Sequence, residues 1–435
     1  MENKDKYSMK NIIHLYHNGQ IKEMIVLAEE LTKKFPKNIE VKNALALGLK
    51  KTGKFEESKK IFFDIINDYK NDPVNKKKIA FIYTNAANLL YDIGQIDDAI
   101  KLHKIAIKLD KKGINSFLGL GLAYSDKGMD NKSIDIYKSA LKLNKNNNNI
   151  NYNLAASLRK VESYKEAAHY YSLTNQRLSK SFQLECLYFN IKNKDSKNDF
   201  YKLLNEITEI DKSDPLIASI SKHASIRFER NDRCNFCRES FDYIKKENLF
   251  SDINFDERLI NQILDDIENS NISKKTQSLL NGGVQSSGNL FNLEYSSIKK
   301  LKKIIINKIN NYRLYYEKSD NDFIKKWPKK FNLYGWIIII NNGGNLMPHI
   351  HKEGWLSSSI YLKRPEKREA NDGDIKFSFH GGNYPSDNKN FPSEIIDIKE
   401  GDMVMFPSSI FHSTIPFTSD RKRVTLAFDV IPLSI

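Results

Sequence analysis

Cysteine is scarce in this 435-residue chain. Cys186, Cys234 and Cys237 are the three present, too few to serve as a disulfide framework in a protein of this length. Cys234-Asn-Phe-Cys237 has the spacing of a zinc-ligand pair. A structural zinc takes four ligands, however, and no second pair exists. Even with His223 and Cys186 considered as contributors, the expected reading is two ordinary thiols in a connector. Long apolar runs are missing as well: no stretch of ~18 apolar residues occurs, so no membrane-spanning segment or membrane partner is expected. The first residues, Met1-Glu-Asn-Lys-Asp-Lys, are charged and lead into an amphipathic pattern instead of an apolar signal core, which predicts a cytoplasmic protein. The net charge is +15, yet Arg-rich or Arg/aromatic stripes are lacking. Lysines are spread over every segment in faces of the Lys-Lys-x-x-Lys kind, which read as solvated surface and leave nucleic acid a minor alternative partner.

What is present is 40% hydrophobic residues, enough to bury sizeable cores in two or three domains of ~150 residues each. The first half repeats itself. Gly19-Gln-Ile-Lys-Glu-Met, Gly53-Lys-Phe-Glu-Glu-Ser, Gly94-Gln-Ile-Asp-Asp-Ala and Gly128-Met-Asp-Asn-Lys-Ser each follow an apolar helical run, and Glu162-Ser-Tyr-Lys-Glu-Ala takes the same place without the glycine. The steps are 34, 41, 34 and 34 residues, the long one absorbed by a polar stretch around Pro73. Each unit reads as two helices. Tyr83, Ala86, Ala87 and Leu90 give one helix of the third unit an apolar face, and Ala99, His103 and Ala106 line the next. Small residues at fixed places let paired helices approach closely. His103 occupies a place for a large core residue and is expected to pack. The period and pattern resemble the tetratricopeptide repeat over residues 9–174. That resemblance implies an all-α solenoid of about five repeats with a concave face that takes a protein or peptide partner. Residues 179–189 and 200–210 read as further, degenerate helices.

Beyond residue 248 the period is lost. Asn281-Gly-Gly-Val-Gln-Ser-Ser-Gly-Asn-Leu-Phe reads as a turn-rich loop, and a helix is predicted over 293–316 with Ile298, Leu301, Ile305, Ile309 and Tyr312 on one side. Strands are then predicted at 333–340, 356–362, 375–379, 395–398, 403–406 and 424–431, separated by turn residues such as Asn341-Asn-Gly-Gly, which suggests a sandwich or barrel. Pro348-His349-Ile350-His351-Lys352-Glu353 sets two histidines and a carboxylate at alternate positions. In an extended strand those share a face, so His349, His351 and Glu353 can converge on one point. Phe406-Pro-Ser-Ser-Ile-Phe-His412 ends a strand with another histidine, and Arg423 opens Val424-Thr-Leu-Ala-Phe-Asp-Val. Two histidines and a carboxylate with open positions form the facial triad that binds non-haem Fe(II). An arginine is suited to hold the distal carboxylate of a keto acid in its planar fork.

The runs His349-Ile-His-Lys-Glu-Gly-Trp-Leu-Ser-Ser-Ser-Ile-Tyr-Leu, Glu400-Gly-Asp-Met-Val-Met-Phe-Pro-Ser-Ser-Ile-Phe-His and Arg423-Val-Thr-Leu-Ala-Phe-Asp, with Gly282-Gly-Val-Gln-Ser-Ser-Gly-Asn-Leu-Phe upstream, resemble the 2-oxoglutarate–Fe(II) oxygenases often fused to tetratricopeptide repeats. Relatives read Leu-Ser-Gly where this chain has Leu356-Ser357-Ser358, a departure that costs a strand little. The resemblance implies a multidomain α + β protein: repeats over 5–175, a degenerate helical cap over 176–245, and a double-stranded β-helix (jelly roll) over 246–435. It implies Fe(II) bound by His349 or His351 and by His412, with the third ligand either Glu353 or a histidine. 2-Oxoglutarate would be the small-molecule cosubstrate, bound by Arg423 with Tyr361 in hydrogen-bonding reach. The implied activity is a dioxygenase that hydroxylates a substrate recruited by the repeats. Two rivals remain: a non-enzymatic adaptor with an inactive jelly roll, and a cupin-like domain that binds a sugar or small acid. Arg421 lies near Arg423 but fits the strand start less well, His380 reads as a loop residue, and Trp336 and Trp355 read as core.

Overall fold

The computed structural model describes residues 8–210, 214–234, 236–270 and 272–433. The chain divides into two compact units, Met1–Cys186 and Leu187–Ile435. Among the described residues no helix is long and apolar enough to cross a membrane.

The first unit is built from helix pairs: α1 (Met9–His17) with α2 (Ile21–Lys34), α3 (Ile39–Lys51) with α4 (Phe55–Tyr69), α5 (Lys76–Asp92) with α6 (Ile96–Leu109), α7 (Ile114–Asp126) with α8 (Asp130–Leu143), and α9 (Asn148–Lys160) with α10 (Tyr164–Ser172). The turn inside each pair needs a left-handed residue. Gly19, Gly53, Gly94 and Gly128 supply it at φ of 74°, 79°, 80° and 70°, and Glu162 is forced to 60° in the pair that lacks the glycine. Close approach within a pair is equally local. A Cβ on Gly121 would lie 2.4 Å from the Tyr137 ring. The Ser58 hydroxyl donates to the Ala46 carbonyl at 2.7 Å and, one equivalent place along, Ser133 donates to the Gly121 carbonyl at 2.8 Å. Tyr83, Ala86, Ala87, Leu90, Ala99 and Ala106 are all buried, as their spacing predicts. His103 is fully buried beside Gly119, where a Cβ would lie 2.3 Å from its ring. It packs, and its surroundings push its pKa down to about 4 through burial.

The helix α11 (Ser179–Phe189) runs across the division. The second unit continues with α12 (Lys194–Ile210) and α13 (Pro215–Arg227), the latter capped by Asp214, which accepts from the Leu216 and Ile217 amides. Cys234 and Cys237 are buried apolar thiols, pushed upward by burial, Cys234 to about 12. His223 is engaged with the Tyr188 hydroxyl and with His380, and both imidazoles stack against Phe391. Two antiparallel sheets follow. The larger uses β1 (Lys245–Asn248), β2 (Lys274–Lys275), β3 (Leu280–Ser286), β4 (Phe331–Leu346), β5 (Leu356–Lys363), β8 (Asp402–Pro407) and β10 (Arg423–Pro432), in the order β1-β8-β5-β10-β4-β3-β2. The smaller uses β6 (Ile375–Ser378), β7 (Ser393–Ile396) and β9 (Phe411–Thr414), in the order β7-β6-β9. Tyr361, Val404 and Phe406 of the larger sheet pack together with Phe377 of the smaller one and with Ile410, the jelly-roll arrangement expected of this half. The helices α14 (Glu257–Glu268), α15 (Ser296–Tyr315) and α16 (Asp322–Lys325) complete the unit. Ile298, Leu301, Ile305, Ile309 and Tyr312 of α15 are buried as predicted.

Two local expectations are corrected. The glycine-rich run at 281–286 is strand β3, and Asn341-Asn-Gly-Gly is the far end of β4, not a turn between strands. The register shifts between Asn281 and Gly283, and a Cβ on Gly283 would lie 2.4 Å from the Ile339 carbonyl oxygen. These glycines mark a bulge and a close backbone approach.

Candidate metal centre

His349 and His412 come from opposite sides of one backbone bridge. The His349 amide donates to the His412 carbonyl at 3.1 Å and the His412 amide returns the bond at 3.0 Å. His412 lies inside β9, facing Phe377 of β6, and does not end β8 as the sequence suggested; the chain turns at Ser408–Ile410 and re-enters in the other sheet. His351 follows His349 by two residues of extended chain and shares its face. The alternation stops there: Lys352 and Glu353 form a turn, and Glu353 is exposed. Among the described residues, the group of three or more side chains able to share a metal is His349, His351 and His412, with donor atoms within 4.8 Å of one another.

The outer nitrogen of each ring is taken. His349 Nδ1–H donates to the Met347 carbonyl at 2.8 Å, His351 Nδ1–H to Asp429 Oδ1 at 2.6 Å, and His412 Nδ1–H to the Ile410 carbonyl at 3.3 Å. That leaves the Nε2 of each ring facing inward. The His349 and His351 Nε2 atoms are 3.2 Å apart, close enough for one cation to meet both. Burial holds His349 at about 4 and His412 well below the usual imidazole range, with the neighbouring imidazoles adding to the effect.

The three rings border a cavity of about 180 Å³ that also meets Arg423, Thr425, Tyr361, Trp336, Gln277 and Gln285. Strand alternation along β10 puts Arg423, Thr425, Ala427 and Asp429 on one face. Arg423 is 3% exposed. Its Nε–H donates to the Gly373 carbonyl at 3.1 Å and its Nη1–H to Thr425 Oγ1 at 2.9 Å, and it lies 4.9 Å over the Tyr361 ring. Among the described residues no carboxylate pairs with it, an expensive state for a buried guanidinium without a ligand anion. The Tyr361 hydroxyl is buried beside Ser359 and Arg423 without completing a hydrogen bond, and burial raises its pKa to about 12. Arg421 is exposed and His380 half-buried, and neither lines the cavity. Trp355 is buried and donates to the Phe323 carbonyl, whereas Trp336, read as core, lines the cavity 5.4 Å from the His351 ring.

Sequence reasoning gave no role to Asp429, Ser357, Thr425, Gln277 or Gln285. The signal for Thr425 and Asp429 was there: both follow Arg423 at even spacing on a strand. Ser357 and the two glutamines carried none, because only sheet pairing brings them to the site.

A family model described as "Putative 2OG-Fe(II) oxygenase" matches residues 334–429, a span that holds the three histidines, Arg423 and Asp429. The helical region matches solved tetratricopeptide-repeat proteins, and these likenesses concern the fold alone. PilF of Pseudomonas aeruginosa is 15% identical, with 49% of this chain and 94% of that chain covered and a TM-score of 0.40. A thermophilic tetratricopeptide-repeat protein of Thermus thermophilus is 18% identical over 45% of this chain and 97% of its own, with a TM-score of 0.32. MamA is 17% identical over 38% and 93%, also at 0.32. Among curated proteins no match is found. The chain thus joins a region of helix pairs to a β-rich segment, residues 334–429, that matches a 2-oxoglutarate–Fe(II) oxygenase family model.

Proposed function

We propose that the second unit is an Fe(II)/2-oxoglutarate-dependent dioxygenase that hydroxylates a substrate recruited by the repeats. We divide the chain into repeats at 5–175, a helical cap at 176–245 and the oxygenase domain at 246–435. One observation carries the reading: three inward Nε2 atoms, each fixed by an outer hydrogen bond, share a small cavity with a buried arginine that has no carboxylate of its own. His349, His351 and His412 would hold the metal at the edge of the cavity. Arg423 grips the distal carboxylate of 2-oxoglutarate at the buried end, with the Thr425 and Tyr361 hydroxyls beside it. Gln277, Gln285 and Trp336 line the half-exposed end and face the substrate. When bound, iron and the keto acid supply the oxidising chemistry with dioxygen; the protein's part is rigid placement and exclusion of water.

The repeats contribute a separate surface. A groove of about 610 Å³ runs along α1, α3 and α5, lined by Ile12, Ile13, Tyr16, Leu47, Phe81 and Ile82. Its apolar lining supports a protein or peptide partner.

The test is anaerobic Fe(II) titration with and without 2-oxoglutarate, following the weak visible charge-transfer band. The wild type and Glu353→Ala are both expected to give it, since Glu353 is exposed on the turn after His351. Loss of metal in Glu353→Ala would restore the carboxylate to the ligand set. A wild type that binds no Fe(II) sinks the oxygenase reading and leaves the adaptor.

A further inference from the structure

A facial triad with one carboxylate puts negative charge directly on its metal. Three neutral imidazoles do not. We infer that Asp429 supplies that charge from one residue further out, acting through His351 as a positioning residue that also makes the ring a stronger donor; this rests on the oxygenase reading above.

Asp429 is 8% exposed. Its Oδ1 accepts from His351 Nδ1–H at 2.6 Å and from the Ser357 hydroxyl at 2.7 Å, and Ser357 is held in turn by Ser408 at 2.7 Å. The register makes this unavoidable, since Asp429 stands opposite Ser357 across β10 and β5. The turn after His351 closes over the same group. A Cβ on Gly354 would lie 2.6 Å from Ser408 Oγ and 3.1 Å from Asp429 Cγ, so this corner has no slack for the carboxylate to swing away.

Charge makes the stronger case. Among the described residues neither a lysine nor an arginine pairs with Asp429, whose carboxylate meets the His351 ring instead. Arg423, on the same face of the same strand, likewise makes no ion pair, since the nearby Asp374 is taken by Arg364 and Lys367. The two are opposite charges, yet six residues of extended chain hold them ~20 Å apart, too far to compensate each other. A buried charge without a counter-charge is costly. Each is therefore satisfied by a ligand: Arg423 by an anion, and Asp429 by a cation on the far side of His351. A carboxylate on the outer nitrogen raises the basicity of a metal-bound imidazole and fixes its tautomer.

The experiment compares Fe(II) affinity, by competition with a chelator, and the position of the 2-oxoglutarate band in the wild type, Asp429→Asn, Ser357→Ala and the double variant His351→Asp/Asp429→Asn. Asp429→Asn keeps the shape and removes the charge. It is expected to weaken Fe(II) binding about 10–100-fold and to move the band to shorter wavelength, because a less donating ligand set lowers the metal electrons in energy. A merely structural role would not move the band. Ser357→Ala, which keeps the charge, is expected to leave the band in place. The double variant brings the carboxylate directly to the metal and is expected to recover affinity. Should Asp429→Asn not fold by circular dichroism, Asp429→Ser carries the same expectation. An Asp429→Asn protein that binds Fe(II) within about threefold of wild type with an unmoved band overturns the inference while the oxygenase reading stands. So does a double variant no tighter than Asp429→Asn. A wild type without any band removes the oxygenase reading itself.

Discussion

Both units bury histidine and arginine, and they treat them differently. In the repeats, His103 is fully buried and neither ring nitrogen has a hydrogen-bond partner; the ring is used as an apolar plate against Gly119. Arg159 is paired with Glu185, itself 3% exposed. In the second unit, His349, His351 and His412 each have the outer nitrogen fixed and the inner one facing a cavity. Arg227 is paired with Asp387 there, but Arg423 is left without a carboxylate. Burial is the main cause that lowers the basicity of His103 and His349 alike, to about 4 in both. A shifted pKa therefore does not distinguish a packed histidine from a poised one; the partner of the second nitrogen does.

The largest effect expected from breaking this contrast is at Arg423. Arg423→Gln removes the fork and the charge and should weaken 2-oxoglutarate binding about 30-fold or more, the ~2–5 kcal/mol typical of losing one member of a buried charge pair. Fe(II) binding should persist and the Tm of the metal-free protein should not fall, since an uncompensated buried charge has gone. Calorimetric titration and a thermal melt read both. A large drop in Tm would make Arg423 a structural residue like Arg159.

His103 sharpens the contrast from the other side. Its folded pKa is depressed from 6.5 to about 4, so the unfolded chain binds the extra proton first. Its contribution to stability is complete above pH 6.5 and is lost as pH falls from there toward 4, on the order of 3 kcal/mol in all. His103→Leu should flatten acid unfolding of the repeats in that window, measured by urea melts at pH 7 and pH 5. Equal acid sensitivity in variant and wild type would mean the ring finds a partner after all. The smallest effect is expected at the turn of the fifth pair. Glu162→Gly relieves a left-handed non-glycine residue and should stabilise the repeats by about 0.5–1 kcal/mol. Destabilisation in a thermal melt would show that the Glu162 side chain contributes more than the strain costs.

The repeats were legible because their physics is local. A glycine at each intra-pair turn, in steps of 34 or 41 residues, is a backbone requirement written in one letter, and even its replacement by Glu162 was visible as a gap in the pattern. The histidine pair was legible for the same reason, two residues of extended chain sharing a face. The bulge at Gly282–Gly283 was misread as a loop because a glycine that admits a neighbouring backbone looks, in one dimension, like a glycine that turns the chain. Glu353 obeyed the alternation on paper and left it in space, because the chain turns immediately after His351.

Local spacing, then, was enough to determine a helical repeat half, a β-rich half and the histidines and arginine of the candidate site, since periods of 34, 3.6 and 2 residues are properties of short stretches of chain. Tertiary structure alone decided which of those side chains meet. It set His412 in the opposite sheet against His349, and paired Asp429 with Ser357 behind His351. It also kept Arg423 and Asp429 apart on one rigid strand. These depend on sheet order and register among segments dozens of residues apart, where loop closure and packing choose the partner and no short-range pattern records the choice.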